Sequence, residues 1–185
     1  MDDNLVMRAQ QGDQQAFAVL AEDAWGRLYQ LALRILRDPD IAEEAAEQAL
    51  VTIWRKLPGL RDPSRFEAWS YRLVVNTCNS VARQRGRRRP EIGWIPGREP
   101  TAPETLGAVI DRDELERGFR RLPVDQRAVL VMHHYLDMPV EAVADVLDVP
   151  VGTVKSRLHR AIKRMRIALR ADTPIPETSP SEASR

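Results

Sequence analysis

Pro90, Pro96, Pro100 and Pro103 are interspersed with Gly93, Gly97 and Gly107, leaving no room for a regular element between residues 90 and 107. The chain must therefore fold as two blocks, one on each side of this stretch. In both blocks apolar residues recur every three or four positions, and no strict alternation appears, so the pattern predicts helices and no strands. Aromatic residues make up only 5% of the chain, which leaves Leu, Val, Ile and Ala to build the cores. The expected fold is all-α: two small helical domains and a Pro/Gly/Arg-rich linker, the second domain containing a helix-turn-helix. Trp94 and Ile95 are an apolar pair within the linker and are expected to dock on something.

In the first block, Asp13 is placed to cap a helix carrying Phe17, Leu20, Ala24, Leu28, Leu31 and Ile35 on one face. Asp38-Pro39-Asp40 ends it. Asp40 and Glu43 have capping-box spacing for a second helix reaching about Leu57, with Leu50, Ile53, Trp54 and Leu57 inward. Ser64 and Glu67 suggest another capping box, opening a third helix that buries Phe66, Trp69, Leu73 and Val81 and frays near Gly86. In the second block a helical unit beginning near Asp111 presents Leu115, Phe119 and Leu122. Helices over 124–136, 140–147 and 151–170 follow. The tail from Thr173, rich in Pro, Ser and Thr, is expected to be disordered.

Charge is distributed in alternating segments. Net charges over residues 1–60, 61–100, 101–150 and 151–185 are −4, +5, −5 and +5, against +1 for the whole. Two separated basic segments suggest two contacts with a polyanion. No apolar run, Ala128 to Met132 among them, approaches the ~20 residues of a membrane span, so no membrane insertion is expected. The acidic N-terminus lacks the form of a signal peptide, and a cytoplasmic location follows. Cys78 is the one cysteine, which excludes a disulfide framework and a Cys-rich zinc site; it is expected to be a small buried hydrophobe. His133 and His134 are adjacent and expected to diverge on a helix, so no metal site is assigned to them. No cofactor is expected. No P-loop, metal motif, nucleophile elbow or His-centred triad is recognisable, so the chain is not read as an enzyme.

Val140 to Arg160 has the form of a helix-turn-helix: a short helix, a tight break at Asp148-Val149-Pro150, and a longer helix. Stepping 100° per residue from Val154 gathers Leu158, Ala161, Ile162, Met165 and Leu169 on one arc. The opposite arc holds Thr153, Ser156, His159, Arg160 and Lys163, with Lys155 and Arg157 flanking it. Cations near a helix N-terminus are unfavourable without an anionic partner. A helix face of this kind suits the DNA major groove, so Thr153, Lys155, Ser156, Arg157, His159 and Arg160 are the candidate DNA contacts. Asp148 occupies the position where Gly commonly takes a left-handed conformation.

These residues carry a resemblance. The run Val149-Pro150-Val151-Gly152-Thr153-Val154-Lys155-Ser156-Arg157-Leu158-His159-Arg160-Ala161 closely resembles the second DNA-binding region of extracytoplasmic-function (ECF) sigma factors, a group within the sigma-70 family of bacterial RNA polymerase. Gly12 to Phe17 resembles the family's first conserved region, and Ala42-Glu43-Glu44-Ala45 to Trp54 its polymerase-binding helix. Trp69, Tyr71-Arg72 and Asn76 match its promoter-opening helix, and Leu122-Pro123 with Gln126-Arg127 matches the start of its second domain. The likeness spans roughly residues 5–170. It departs at Glu44 and Glu47, where the family usually has Asp and Gln, and at Ser80, where it usually has Asp.

The resemblance implies an alternative sigma factor that binds core RNA polymerase and directs initiation through minus-ten and minus-thirty-five promoter elements. On that basis Glu44, Glu47 and Gln48 are expected to bind polymerase. Tyr71, Arg72, Asn76, Asn79, Ser80, Arg83 and Arg85 are expected to meet the downstream element, both as duplex and as the unpaired non-template strand. For Trp69, core packing is the preferred reading over base stacking. The implied organisation is a region 2-like domain at 1–89, a linker at 90–107, a region 4-like domain at 108–172 and a tail at 173–185. Two small domains on a linker are easily sequestered, which fits an anti-sigma protein as a further partner. The alternative is a stand-alone helix-turn-helix regulator of duplex DNA, and the first domain is what separates the two readings.

Overall fold

The structure, a computed structural model, describes residues 2–88 and 115–171. The linker, with Trp94 and Ile95, the helix start expected near Asp111 and the tail all lie outside the described residues. Every regular element among the described residues is helical. In order they are α1 (Asp3–Gln10), α2 (Gln14–Leu36), α3 (Pro39–Lys56), single 3-10 turns at Leu57–Gly59 and Pro63–Arg65, α4 (Phe66–Arg88), a short helix α5 at 115–120, α6 (Val124–His134), α7 (Val140–Leu147) and α8 (Val151–Ala171). None is long and apolar enough to cross a membrane.

α1 was not expected, because only Val6 and Ala9 of its eight residues are buried anchors. It is closed by Gly12, whose φ of 91° favours glycine. The Arg8 guanidinium reaches over that turn to Asp13 at 2.7 Å. Asp13 is also the N-cap of α2, accepting from the Ala16 N–H at 3.0 Å. That backbone donor and then Arg8 hold its carboxyl below the usual aspartate range. The predicted face of α2 is buried from Leu20 to Ile35, with Phe17 half-buried at its edge.

The two expected capping boxes are replaced by aspartates two residues earlier. Asp38, not Asp40, caps α3 by accepting from the Ile41 N–H at 3.1 Å, with Pro39 at the first helical position. Asp62 accepts from both the backbone and the hydroxyl of Ser64, and a 3-10 turn leads into α4. The Glu67 carboxylate thus takes no part in capping and instead accepts from Tyr71 Oη at 2.9 Å. α4 continues through Gly86 to Arg88 where fraying was expected.

α3 is packed mainly through its alanines: Ala42, Ala45, Ala46, Ala49 and Ile53 are buried, whereas Leu50 and Trp54 are half-exposed. Small side chains bring α3 close to its neighbours, so dispersion contacts replace bulk as the source of packing. In the second unit Val129, Met132, Val143, Ala144, Val154 and Leu158 are buried together, whereas Leu115 is exposed. On α8 the expected stripe holds at Val154, Leu158 and Ala161 but drifts to Ala168, leaving Ile162 exposed. A Cβ at Gly118 would lie 3.3 Å from Met165 Sδ, which fixes how closely α5 rests on α8.

The two units are packed against each other, which no sequence pattern had indicated. The C-terminal end of α2 and the outer side of α4 receive α5, α6 and α7, and one core of buried residues runs through both units.

Candidate nucleic-acid interface

α7 and α8 form the helix-turn-helix. Asp148 has φ 55° and ψ 50°, the left-handed conformation expected of it. Asp tolerates that region better than most residues because its short side chain can bond locally. The chain then turns in two residues, and the Thr153 N–H closes on the Pro150 carbonyl at 2.8 Å. α8 is held down by Val154 and Leu158 and presents Lys155, His159 and Arg160 to solvent.

The six candidates on α8 divide by what they touch. Lys155 and His159 are exposed. Arg160 lies back along the helix, donating from Nε to the Ser156 carbonyl and from Nη2 to Ser156 Oγ at 2.9 Å. Ser156 Oγ donates to the Thr153 carbonyl at 2.9 Å, so Thr153, Ser156 and Arg160 form one bonded ridge. Arg157 turns aside: its Nε meets Asp125 Oδ2 in the first turn of α6 at 3.2 Å. Its charge is thereby engaged inside the unit.

α4 gives a second polar face. Counting 100° per residue from Asn76 places Arg72, Asn79, Ser80 and Arg83 within about 60° of it. Asn76, Ser80 and Arg83 are exposed, and Arg72 and Asn79 are half-buried. Two candidates fall off this stripe. Arg85 lies half a turn away and pairs with Glu44 on α3 at 2.9 Å. Tyr71 is only 9% exposed, and burial together with its bond to Glu67 pushes its phenol up to about 12. Its ring is thus committed to the core. Trp69 is half-buried, 6.1 Å from Phe66, in keeping with the packing role preferred for it.

Glu43, Glu47 and Gln48 make an exposed polar face on α3. Glu44, grouped with Glu47 and Gln48 as a polymerase contact, is half-buried in its pair with Arg85. Beside this face, Phe17, Leu50, Val51 and Trp54 line a shallow apolar groove, with Phe17 and Trp54 ring centroids 4.6 Å apart. Val51 and Phe17 were missed as surface features, though Glu47 and Val51 have the i, i+4 spacing of one helix face.

Cys78 is fully buried, as expected, and burial pushes its thiol up to about 12. His133 and His134 do not diverge: their ring centroids are 4.7 Å apart, with His133 Nδ1 2.7 Å from the Met138 carbonyl. Among the described residues no group of three or more His, Cys, Asp or Glu is arranged to hold a metal ion.

Comparison with known proteins gives a consistent picture. The family description "Sigma-70 region 2" matches residues 20–88, and "Sigma-70, region 4" matches residues 112–165. The chain is 32% identical over 181 residues to the RNA polymerase sigma-H factor of Pseudomonas aeruginosa, covering 91% of this chain and 93% of that protein. It is 31% identical over 172 residues to the ECF RNA polymerase sigma-E factor of Escherichia coli K12, covering 86% and 90%. Among solved structures it resembles CnrH in complex with the cytosolic domain of CnrY, with a TM-score of 0.64 over 93% of this chain and 99% of that one. It also resembles the sigma factor RpoE in complex with the anti-sigma factor NepR from Bartonella quintana, with a TM-score of 0.65 over 85% and 98%. Both structures are 23% identical and bear on the fold.

Proposed function

Because the chain belongs to the sigma-70 family, in its ECF group, we infer that α4 and α8 divide promoter recognition between them while α3 docks on polymerase. The protein is an alternative sigma factor that directs promoter-specific transcription initiation with RNA polymerase; it is not an enzyme. The stand-alone regulator falls away, since region 2 accounts for most of the first unit.

The observation that carries the division of labour is the pair of polar helix faces, one in each unit. On α8, Lys155, His159 and the Thr153–Ser156–Arg160 ridge sit in the first turns, which reach base edges in the major groove. They read the minus-thirty-five element, and Arg157 contributes mainly by holding α8 to α6. On α4, Asn76 presents an amide suited to a base edge, and Arg72 and Arg83 carry charge for phosphates on either side. This stripe meets the minus-ten element. Glu47 and Gln48, with Glu44 behind them, form the polymerase-docking face, and the apolar groove beside them adds area to it. A factor of this type works in the cytoplasm. Sequestration by an anti-sigma protein is in keeping with the complexes in which the two structural relatives were solved.

The test is run-off transcription with core polymerase and the full chain on a promoter library, combined with permanganate footprinting. Asn76→Ala is expected to reduce reactivity of the opened region while polymerase still co-purifies with the chain. Unchanged footprints would remove α4 from the melting site.

A further inference from the structure

α1 is tied to the rest of the first unit on two sides. Arg8 closes on Asp13 Oδ2 through Nε at 3.0 Å and Nη2 at 2.7 Å, which fastens α1 to the residue that caps α2. Gln10, the last residue of α1, reaches a part of the chain much further on. Its Nε2 donates to the Leu57 carbonyl at 3.2 Å and to the Leu60 carbonyl at 2.6 Å. Leu57 opens the first 3-10 turn and Leu60 closes it, with the Leu60 N–H on the Leu57 carbonyl at 3.0 Å. A primary amide nitrogen carries two hydrogens, so one side chain can hold both carbonyls at once. Gln10 is half-buried and Leu57 fully buried, which puts the clamp at the edge of the core.

The clamped turn belongs to the joint between α3, which ends at Lys56, and α4, which begins at Phe66. Between them run two three-residue 3-10 turns, with Pro58 and Gly59 in the first. Hydrogen bonds of the 3-10 kind have poorer geometry than α-helical ones, so such a joint is not stiff by itself. Contact along the helices does little to stiffen it. α3 packs through alanines, whose shallow ridges set the distance to a neighbour more firmly than the angle. The Arg85–Glu44 pair at the far end is part-exposed, a class that contributes little. Helical rise places Asn76 about 15 Å and Arg83 about 25 Å beyond Phe66. A rotation of about 5° at the joint moves them by about 1 and about 2 Å, enough to lose a hydrogen bond.

We propose that Gln10 is a positioning residue for promoter opening: its two hydrogen bonds fix the angle between the helix that docks on polymerase and the helix that meets the minus-ten element. This rests on the roles given to α3 and α4 above. The clamp is part-buried, so water can reach the two carbonyls when the amide is removed, and the fold loses little. What is lost is the setting of the α4 stripe against a promoter that polymerase holds. A shift of an ångström in such contacts can cost far more in function than in stability. Donation is the one property that position 10 must supply. Met keeps the length and helix propensity of Gln but has no donor, whereas Lys keeps both and carries donors on its ammonium.

The experiment uses the full-length chain with core polymerase on one promoter that the holoenzyme opens. Gln10→Met, Gln10→Lys, Asn76→Ala and the double variant Gln10→Met with Asn76→Ala are compared. In Gln10→Met, affinity for core polymerase is expected to be unchanged while permanganate reactivity of the opened region falls about fivefold or more. Gln10→Lys should open the promoter nearly as the wild type does. The loss in the double variant should be smaller than the product of the single losses, because both act through one helix. Unchanged reactivity in Gln10→Met overturns the clamp. An equal loss in Gln10→Met and Gln10→Lys overturns it too, since packing and not donation would then be what position 10 supplies. So does a matching loss of polymerase affinity in Gln10→Met, which would mean that the whole unit is disturbed. Asn76→Ala tests the underlying assignment separately. A loss in Asn76→Ala with none in Gln10→Met leaves α4 as the melting helix and removes only the clamp; the reverse removes the route through α4 and the proposal with it.

Discussion

Side chains of the same type on one helix face have different parts to play according to what they already touch. Lys155 is exposed in the first turn of α8, whereas Lys163, also exposed, lies two turns further on. Base contacts discriminate and phosphate contacts do not. Lys155→Ala is therefore expected to change the preferred upstream element, with roughly 1–3 kcal/mol of discrimination at stake for a good base contact. Lys163→Ala should weaken all sequences alike and flatten the salt dependence. Holoenzyme selection from a randomised upstream element at two salt concentrations distinguishes them; an even loss in both variants makes Lys155 a phosphate anchor. Arg157 differs again, since its charge is matched by Asp125. Single replacement of either by Ala should lower stability by about 0.2–1 kcal/mol, and the double replacement should be less than additive. Urea denaturation of the four proteins measures the coupling. Strict additivity would mean that the pair does not hold α8 in place.

Helices whose faces are built from large apolar residues were legible in the sequence, and those built otherwise were not. α2 and α7 follow their periodicity from cap to cap because Leu, Ile and Val contrast sharply with their polar neighbours. α3 was found but turned wrongly: alanine carries a weak hydropathy signal, so Leu50 and Trp54 drew attention while Ala42, Ala45, Ala46 and Ala49 made the contact. The capping boxes at Asp40 and Ser64 were plausible by spacing, yet Asp38 and Asp62 precede prolines that already start a helical turn. For the candidate site, the α8 face was legible from the arc opposite Val154. The split of α4 into a stripe through Asn76 and a separate pair at Arg85 needed the position of α3. That pair makes a prediction at the scale of the element. Glu47→Lys, on an exposed residue, should impair co-purification with core polymerase and leave thermal stability nearly unchanged. Glu44→Lys should impair it too but also lower stability by up to about 1 kcal/mol, because Arg85 then faces a like charge. Equal stability in the two variants would mean that the α3–α4 pair contributes nothing in solution.

At the scale of the whole molecule, the seating of one unit on the other could not be read from sequence, since it depends on residues far apart in the chain that form no motif. Arg37 closes α2 and Glu116 belongs to α5, and neither has a periodic or motif signal. Their pair makes the contact between the units sensitive to pH in a direction that follows from the structure. Burial raises the Glu116 carboxyl, but the hydrogen bonds from Arg37 and Arg120 outweigh it and hold the group below its ordinary value of 4.5. A carboxylate lowered in the folded chain contributes stability that is complete above its unassociated value and is lost as pH falls through the lowered one. The contact between the units should therefore be indifferent to pH from neutrality down to about 5 and weaken below about 4.5 as Glu116 is protonated. Energy transfer between labels at Glu22→Cys and Glu141→Cys, both exposed positions, should fall in that window while far-ultraviolet circular dichroism still reports intact helices. In Glu116→Gln, which accepts hydrogen bonds but carries no charge, the units should already be partly separated at neutral pH, and the acid step should shrink. If the acid step in that variant matches the wild type, the proton responsible is bound elsewhere, and the Arg37–Glu116 pair is not what holds the units together.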